Sequence, residues 1–124
     1  MTERPQVVGH SVGAMRVHVV EDAPFKIDAG TMFGMVPRTR WEPLVQLDGE
    51  HRVEVTTWCL VVECPDALVL VETGFGTKLS DQLCRFYDWS NDYTVVDRLD
   101  ELGFASERFT HVVLTHMHLD HAGG

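Results

Sequence analysis

The chain has 124 residues, enough for one folded domain and too few for two. With 44% hydrophobic and 23% charged residues it has the composition of a globular protein, which excludes a disordered chain. A net charge of −9 leaves no basic face for a phosphate backbone, so nucleic acid is not an expected partner.

The first residues, Met1-Thr-Glu-Arg-Pro-Gln6, have neither the basic start nor the apolar core of a secretory signal. No later stretch approaches the roughly 18 to 20 apolar residues of a membrane span, so no membrane is expected. Residues 14–21, Ala-Met-Arg-Val-His-Val-Val-Glu, alternate and predict a half-buried strand with Met15, Val17 and Val19 on one face. A glycine- and proline-rich loop is expected over about 22–43. Within it Met32, Phe33 and Met35 flank two glycines, and such side chains want cover. They either line a substrate pocket or plug an edge of the fold.

Residues 53–63 are rich in β-branched and aromatic types and predict one strand. Cys64-Pro-Asp-Ala67 predicts a turn, and 67–72 a more continuously apolar second strand, making a hairpin. Thr73-Gly-Phe-Gly76 breaks the pattern, and 78–87 predicts a short helix. A clearer helix is expected over about 95–102. Thr94 and Asp97 give it a capping-box-like start, Val95, Val96, Leu99 and Leu102 form an apolar stripe, and Gly103 follows as C-terminal stop. The acidic set Asp97, Asp100 and Glu101 reads as a solvated helix face. Residues 110–115, Thr-His-Val-Val-Leu-Thr, read as a buried strand. Strand, hairpin, helix, strand is the order of an α/β domain. The three cysteines, Cys59, Cys64 and Cys84, are odd in number and contain no CxxC pair. Free thiols in a reducing compartment follow, and with them a cytoplasmic location.

Four of the seven histidines fall between His111 and His121. A single histidine on a strand is ordinarily a structural or surface residue, and that reading is applied to His10, His18, His51 and His111. The segment Thr115-His-Met-His-Leu-Asp-His-Ala-Gly-Gly124 is different, because an apolar strand ending in His116, His118, Asp120 and His121 has little packing rationale. Imidazole nitrogen and carboxylate oxygen suit Zn²⁺, Fe or Mn²⁺. At the end of an extended strand, His116 and His118 project to the same side, and a turn brings Asp120 and His121 round to it.

The pattern His116-x-His118-x-Asp120-His121, preceded by Val-Val-Leu-Thr and followed by Ala-Gly-Gly, resembles the HxHxDH signature of the metallo-β-lactamase superfamily. Glu72-Thr73-Gly74 sits where that family usually has Asp-Thr-Gly. Residues 28–37, with Trp41, resemble the N-terminal loop of its acyl-homoserine-lactonase-like branch. The resemblance implies the N-terminal half of an αβ/βα sandwich, residues 1–124, with two divalent metal ions, zinc above all and iron or manganese as alternatives. His116 and His118 would ligate one ion, and Asp120 and His121 the other. A metal-bound hydroxide would attack the carbonyl of a small-molecule lactone or ester. Asp120 would also orient that hydroxide or pass a proton to the leaving group. Glu72 and Thr73 would support the metals from behind, Glu72 with one methylene more than the usual Asp. A glyoxalase II-like thioesterase is the alternative chemistry. The family's remaining ligands fall in the second half, so the 124-residue chain alone is expected to be an inactive metal-binding fragment. Half a sandwich leaves one sheet face uncovered, which favours poor solubility or a homodimer.

Overall fold

The computed structural model describes residues 8–124. Five strands form the main sheet: β1 (Val8–Val12), β2 (Met15–Glu21), β5 (Trp58–Cys64), β6 (Ala67–Val71) and β7 (His111–Val113), in the order β1-β2-β5-β6-β7. All neighbours are antiparallel except β6 and β7, which run parallel. A second, two-stranded sheet pairs β3 (Phe25–Asp28) with β4 (Arg52–Val55). The parallel β6–β7 pair requires a crossover. It is made through helices α3 (Asp81–Tyr87) and α4 (Val95–Glu101).

Helix α4 forms where the capping signals predict it. The Asp97 carboxylate accepts from the Thr94 backbone N–H at 2.7 Å and from its hydroxyl at 3.0 Å. At the far end Gly103 takes φ +83°, and the bonds Phe104 N–H to Leu99 O (2.8 Å) and Gly103 N–H to Asp100 O (3.0 Å) close a Schellman motif. This aims Val95 and Leu99, one turn apart, at the sheet. There they meet Val20, Cys59, Val61, Leu68, Leu70 and Phe104 in the larger core. Each of these side chains contributes on the order of 1.5–3 kcal/mol by leaving water. A smaller aromatic cluster of Phe25, Phe75 and Trp89 lies between β3 and α3, with Tyr87 against it. The Phe25–Phe75 and Phe75–Trp89 ring centroids are 4.7 and 4.6 Å apart.

Several expectations change. Residues 53–63 are two strands in different sheets, interrupted at Thr56 and Thr57. β-Propensity runs unbroken through the threonines, so only tertiary pairing marks the break. The segment 22–43 is not a plain loop. It holds β3, helix α1 (Ala29–Phe33), helix α2 (Arg38–Trp41) and a 3₁₀ turn (Glu42–Leu44), because pairing with β4 supplies the backbone partners that 25–28 need. In β2 the most deeply buried side chain is Val20, on the face opposite Met15, Val17 and Val19, since α4 covers that face. The strand over 110–115 is shorter and exposed. As β7 it is the sheet's edge, and Val112 and Val113 are about half exposed. Among the isolated histidines, His10, His51 and His111 are exposed. His18 contacts Glu63 at 2.6 Å and lies edge-on to Phe104. The cysteines are free, with Cys59 buried. Burial, with the nearby charges of Asp22 and Glu72, pushes its thiol up to about 12, so it is a packing residue and not a nucleophile.

Candidate metal centre

After β7 the chain turns through residues 114–118 into a four-residue helix, α5 (Leu119–Ala122). This passage is gripped by the loop that leaves β6. Glu72 N–H donates to Val113 O (2.9 Å), Thr73 N–H to His121 O (2.8 Å), and Gly123 N–H to Gly74 O (2.9 Å). The Thr73 hydroxyl also donates to His121 O at 3.2 Å. Glu72 is 4% exposed and takes φ +68°, a left-handed conformation unusual for a non-glycine residue. That bend turns its side chain under the histidines. One oxygen, Oε1, accepts the Thr115 N–H at 2.5 Å, and Oε2 contacts His121 Nδ1. Burial works against the Glu72 charge, but the bonds from Thr115 and His121 outweigh it and hold the carboxyl below its usual range.

The four motif residues converge. Ring centroids of His116 and His118 are 4.8 Å apart, and those of His116 and His121 are 4.1 Å apart. The Thr115 hydroxyl lies 2.9 Å from His116 Nδ1, which leaves His116 Nε2 for another partner. His121 Nδ1 contacts Glu72 Oε2, and its Nε2 lies 3.2 Å from Asp120 Oδ2. With His121 neutral and its proton on Nδ1, that nitrogen and the carboxylate oxygen address one point as two ligands of one cation do. Ligands on one tetrahedral ion with bonds of about 2.0–2.1 Å sit roughly 3.3 Å apart. The donor set therefore fits a divalent metal. Glu72 lies close enough to His116 and His121 to be counted with them as a possible ligand. Its Oε1 accepts the Thr115 N–H, and its Oε2 contacts His121 Nδ1.

Beside these donors opens a groove of about 820 Å³. Its walls include Phe25, Met32, Trp58, Phe75, Tyr87 and Met117, with His118, Asp120 and His121 at one end. Of the three side chains weighed for a pocket, Met32 lines it. Phe33 instead stacks on Trp41, with centroids 4.7 Å apart, and Met35 is fully exposed.

Two residues here carry no sequence signal of their own. Asp22 is 1% exposed and accepts the Phe75 N–H at 3.1 Å. Burial raises its carboxyl above the usual range. Gly74, at φ +67°, leaves it room: a Cβ there would stand 2.1 Å from Asp22 Oδ2. Thr57 is 4% exposed, and its hydroxyl donates to Asp120 Oδ2 at 3.3 Å. An isolated Asp ending a strand, or a threonine inside a β-rich run, looks like a turn or strand residue until the fold closes over it.

The chain belongs to the metallo-beta-lactamase superfamily, whose family model matches residues 52–124. It is 31% identical over 80 residues to the N-acyl homoserine lactonase AiiB of Agrobacterium fabrum, a match covering 57% of this chain and 29% of that protein. The fold superposes on a probable metal-dependent hydrolase from Staphylococcus aureus with a TM-score of 0.81 at 23% identity, covering 93% of this chain and 42% of that one. It also superposes on AidC, a dizinc quorum-quenching lactonase, with a TM-score of 0.68 at 20% identity, covering 95% and 38%. The chain thus spans less than half the length of these relatives. No helix among the described residues is long and apolar enough to cross a membrane.

Proposed function

We propose that this chain supplies the first metal-ligand set of a divalent-metal hydrolase that opens a lactone or a similar ester, as the N-terminal half of an αβ/βα sandwich. The observation that carries the reading is the convergence of His116, His118, Asp120 and His121, the last three of which line a largely apolar groove. His116 and His118 hold one ion, and Asp120 and His121 a second. The ions are zinc, with iron and manganese suited to the same donors. When bound, such ions bring the pKa of water toward about 7 and polarise a carbonyl. Further donors complete each ion's set of three.

The chain's own residues do the rest. Glu72 fixes the tautomer and direction of His121, and Thr73 holds the His121 main chain. Asp120 lines the groove, where its carboxylate can take a proton and hand it to the leaving alkoxide oxygen. The walls built from Phe25, Trp58, Phe75, Tyr87 and Met117 offer apolar surface for an acyl part.

A lactone or ester with an apolar acyl part is preferred because the groove lining is largely apolar. The test is hydrolysis of an N-acyl homoserine lactone and of a glutathione thioester, side by side, by a zinc-loaded protein in which this chain is joined to the second half of the sandwich. Metal-dependent opening of the lactone alone is the expected result. Preferential cleavage of the thioester, or no metal-dependent ring opening, contradicts the proposal.

A further inference from the structure

Thr57 stands at the break between β4 and β5, where the chain passes from the small sheet to the large one. Its main chain is fixed there by the Asp22 N–H, which donates to Thr57 O at 2.9 Å. The two adjacent threonines send their hydroxyls to different places. Thr56 donates to Asp22 O at 3.0 Å, while Thr57 donates to Asp120 Oδ2 at 3.3 Å. Thr57 is nearly enclosed, and a buried hydroxyl is stable only with a partner. Its β-branched side chain has little rotamer freedom, so the donor is presented from a fixed point.

Asp120 is held far less firmly. It rides on a four-residue helix, and its side chain is 24% exposed. A carboxylate so placed would sample several rotamers, and only some bring Oδ2 opposite His121 Nε2. The oxygen that accepts from Thr57 is the same Oδ2 that lies 3.2 Å from that nitrogen. A hydrogen bond across 63 positions of sequence therefore selects the rotamer in which the two donors converge.

We propose that Thr57 is a positioning residue for the metal centre: its hydroxyl orients Asp120 so that Oδ2 and His121 Nε2 address one ion. This rests on the metal-centre reading above. The role is carried by one hydroxyl and not by side-chain volume, which separates it from packing. Thr57→Val keeps shape and β-branching while deleting the donor, and Thr57→Ser restores it.

The experiment is titration of the full 124-residue chain and both variants with Co²⁺ and Zn²⁺. Affinity is read by competition with a chelating dye, and ligand geometry by the visible Co²⁺ spectrum. Loss of an orienting hydrogen bond to a ligand lowers metal affinity roughly 10- to 100-fold. Thr57→Val is expected at about tenfold, with altered Co²⁺ bands, unchanged melting of the metal-free protein, and near-complete recovery in Thr57→Ser. Wild-type affinity and spectrum in Thr57→Val would overturn the inference while leaving the metal centre standing. So would a Thr57→Ser variant as weak as Thr57→Val, since packing would then be the cause. A wild-type chain that takes up neither ion overturns the metal centre, and the role of Thr57 with it.

Discussion

Under α4 the large sheet is held by apolar contact, whereas along β7 and α5 it is held by hydrogen bonds. In the first region Val61, Cys59 and Val20 are wholly enclosed and Leu99 and Val95 nearly so. In the second, residues 111–119 are all exposed, and the passage keeps its place through Glu72, Thr73 and Gly74. Packing is non-directional and tolerates small displacements, while hydrogen bonds fix atoms to tenths of an ångström. A metal centre needs the second kind of support. Stability and site geometry are therefore assigned to different residues, and substitutions should separate them.

The largest effect expected on the site itself is at Glu72. Glu72→Gln keeps the size but leaves one carbonyl oxygen where the Thr115 N–H and His121 Nδ1 each have a carboxylate oxygen, so one of them must face the NH2 group. Zinc affinity should fall roughly 10- to 100-fold, as for other lost orienting partners. Calorimetric zinc titration checks this, and an affinity within twofold of wild type would merge the two regions again. Next is Leu99→Ala, which opens a cavity beneath α4. It should cost about 2–5 kcal/mol in denaturant unfolding, with zinc affinity per folded molecule unchanged. A parallel loss of zinc binding would show that the centre depends on the core.

The smallest effect lies far from both regions. Asp48 is held at about 2, first by the Arg52 backbone N–H and further by the Glu50 N–H and the Arg52 side chain, against partial desolvation. A carboxyl with a lowered folded pKa stabilises fully above its unfolded value of 3.8, and that contribution is lost as pH falls toward 2. Asp48→Asn should lower the unfolding midpoint slightly and evenly above about pH 4. The difference from wild type should shrink between about pH 4 and pH 2 and vanish below about pH 2, as read by melts at stepped pH. A difference that grows on acidification would reverse the sign.

Features that were legible in the sequence are those written locally. The 95–102 helix was marked at both ends, by Thr94 with Asp97 and by Gly103, and each marker makes its expected bonds. The His116–His121 cluster was dense enough to stand out from its surroundings, and the rings of His116, His118 and His121 and the Asp120 carboxylate lie near one another. Other features depend on partners distant in sequence. Nothing within 22–43 announces β3, whose hydrogen bonds come from residues 52–55. The apolar run 111–114 looked buried because hydrophobicity does not say which strand is the edge. Thr57 and Asp22 were silent for the same reason, since each acquires its meaning from a contact made across more than 50 positions.

Anomalous diffraction at the zinc edge, from crystals of the zinc-loaded protein, tests the central claim most directly. The account predicts density among His116, His118, Asp120 and His121, with Asp120 Oδ2 and His121 Nε2 on one ion and Glu72 still on His121 Nδ1. Zinc bound elsewhere, or directly to Glu72 with His121 turned away, would contradict it.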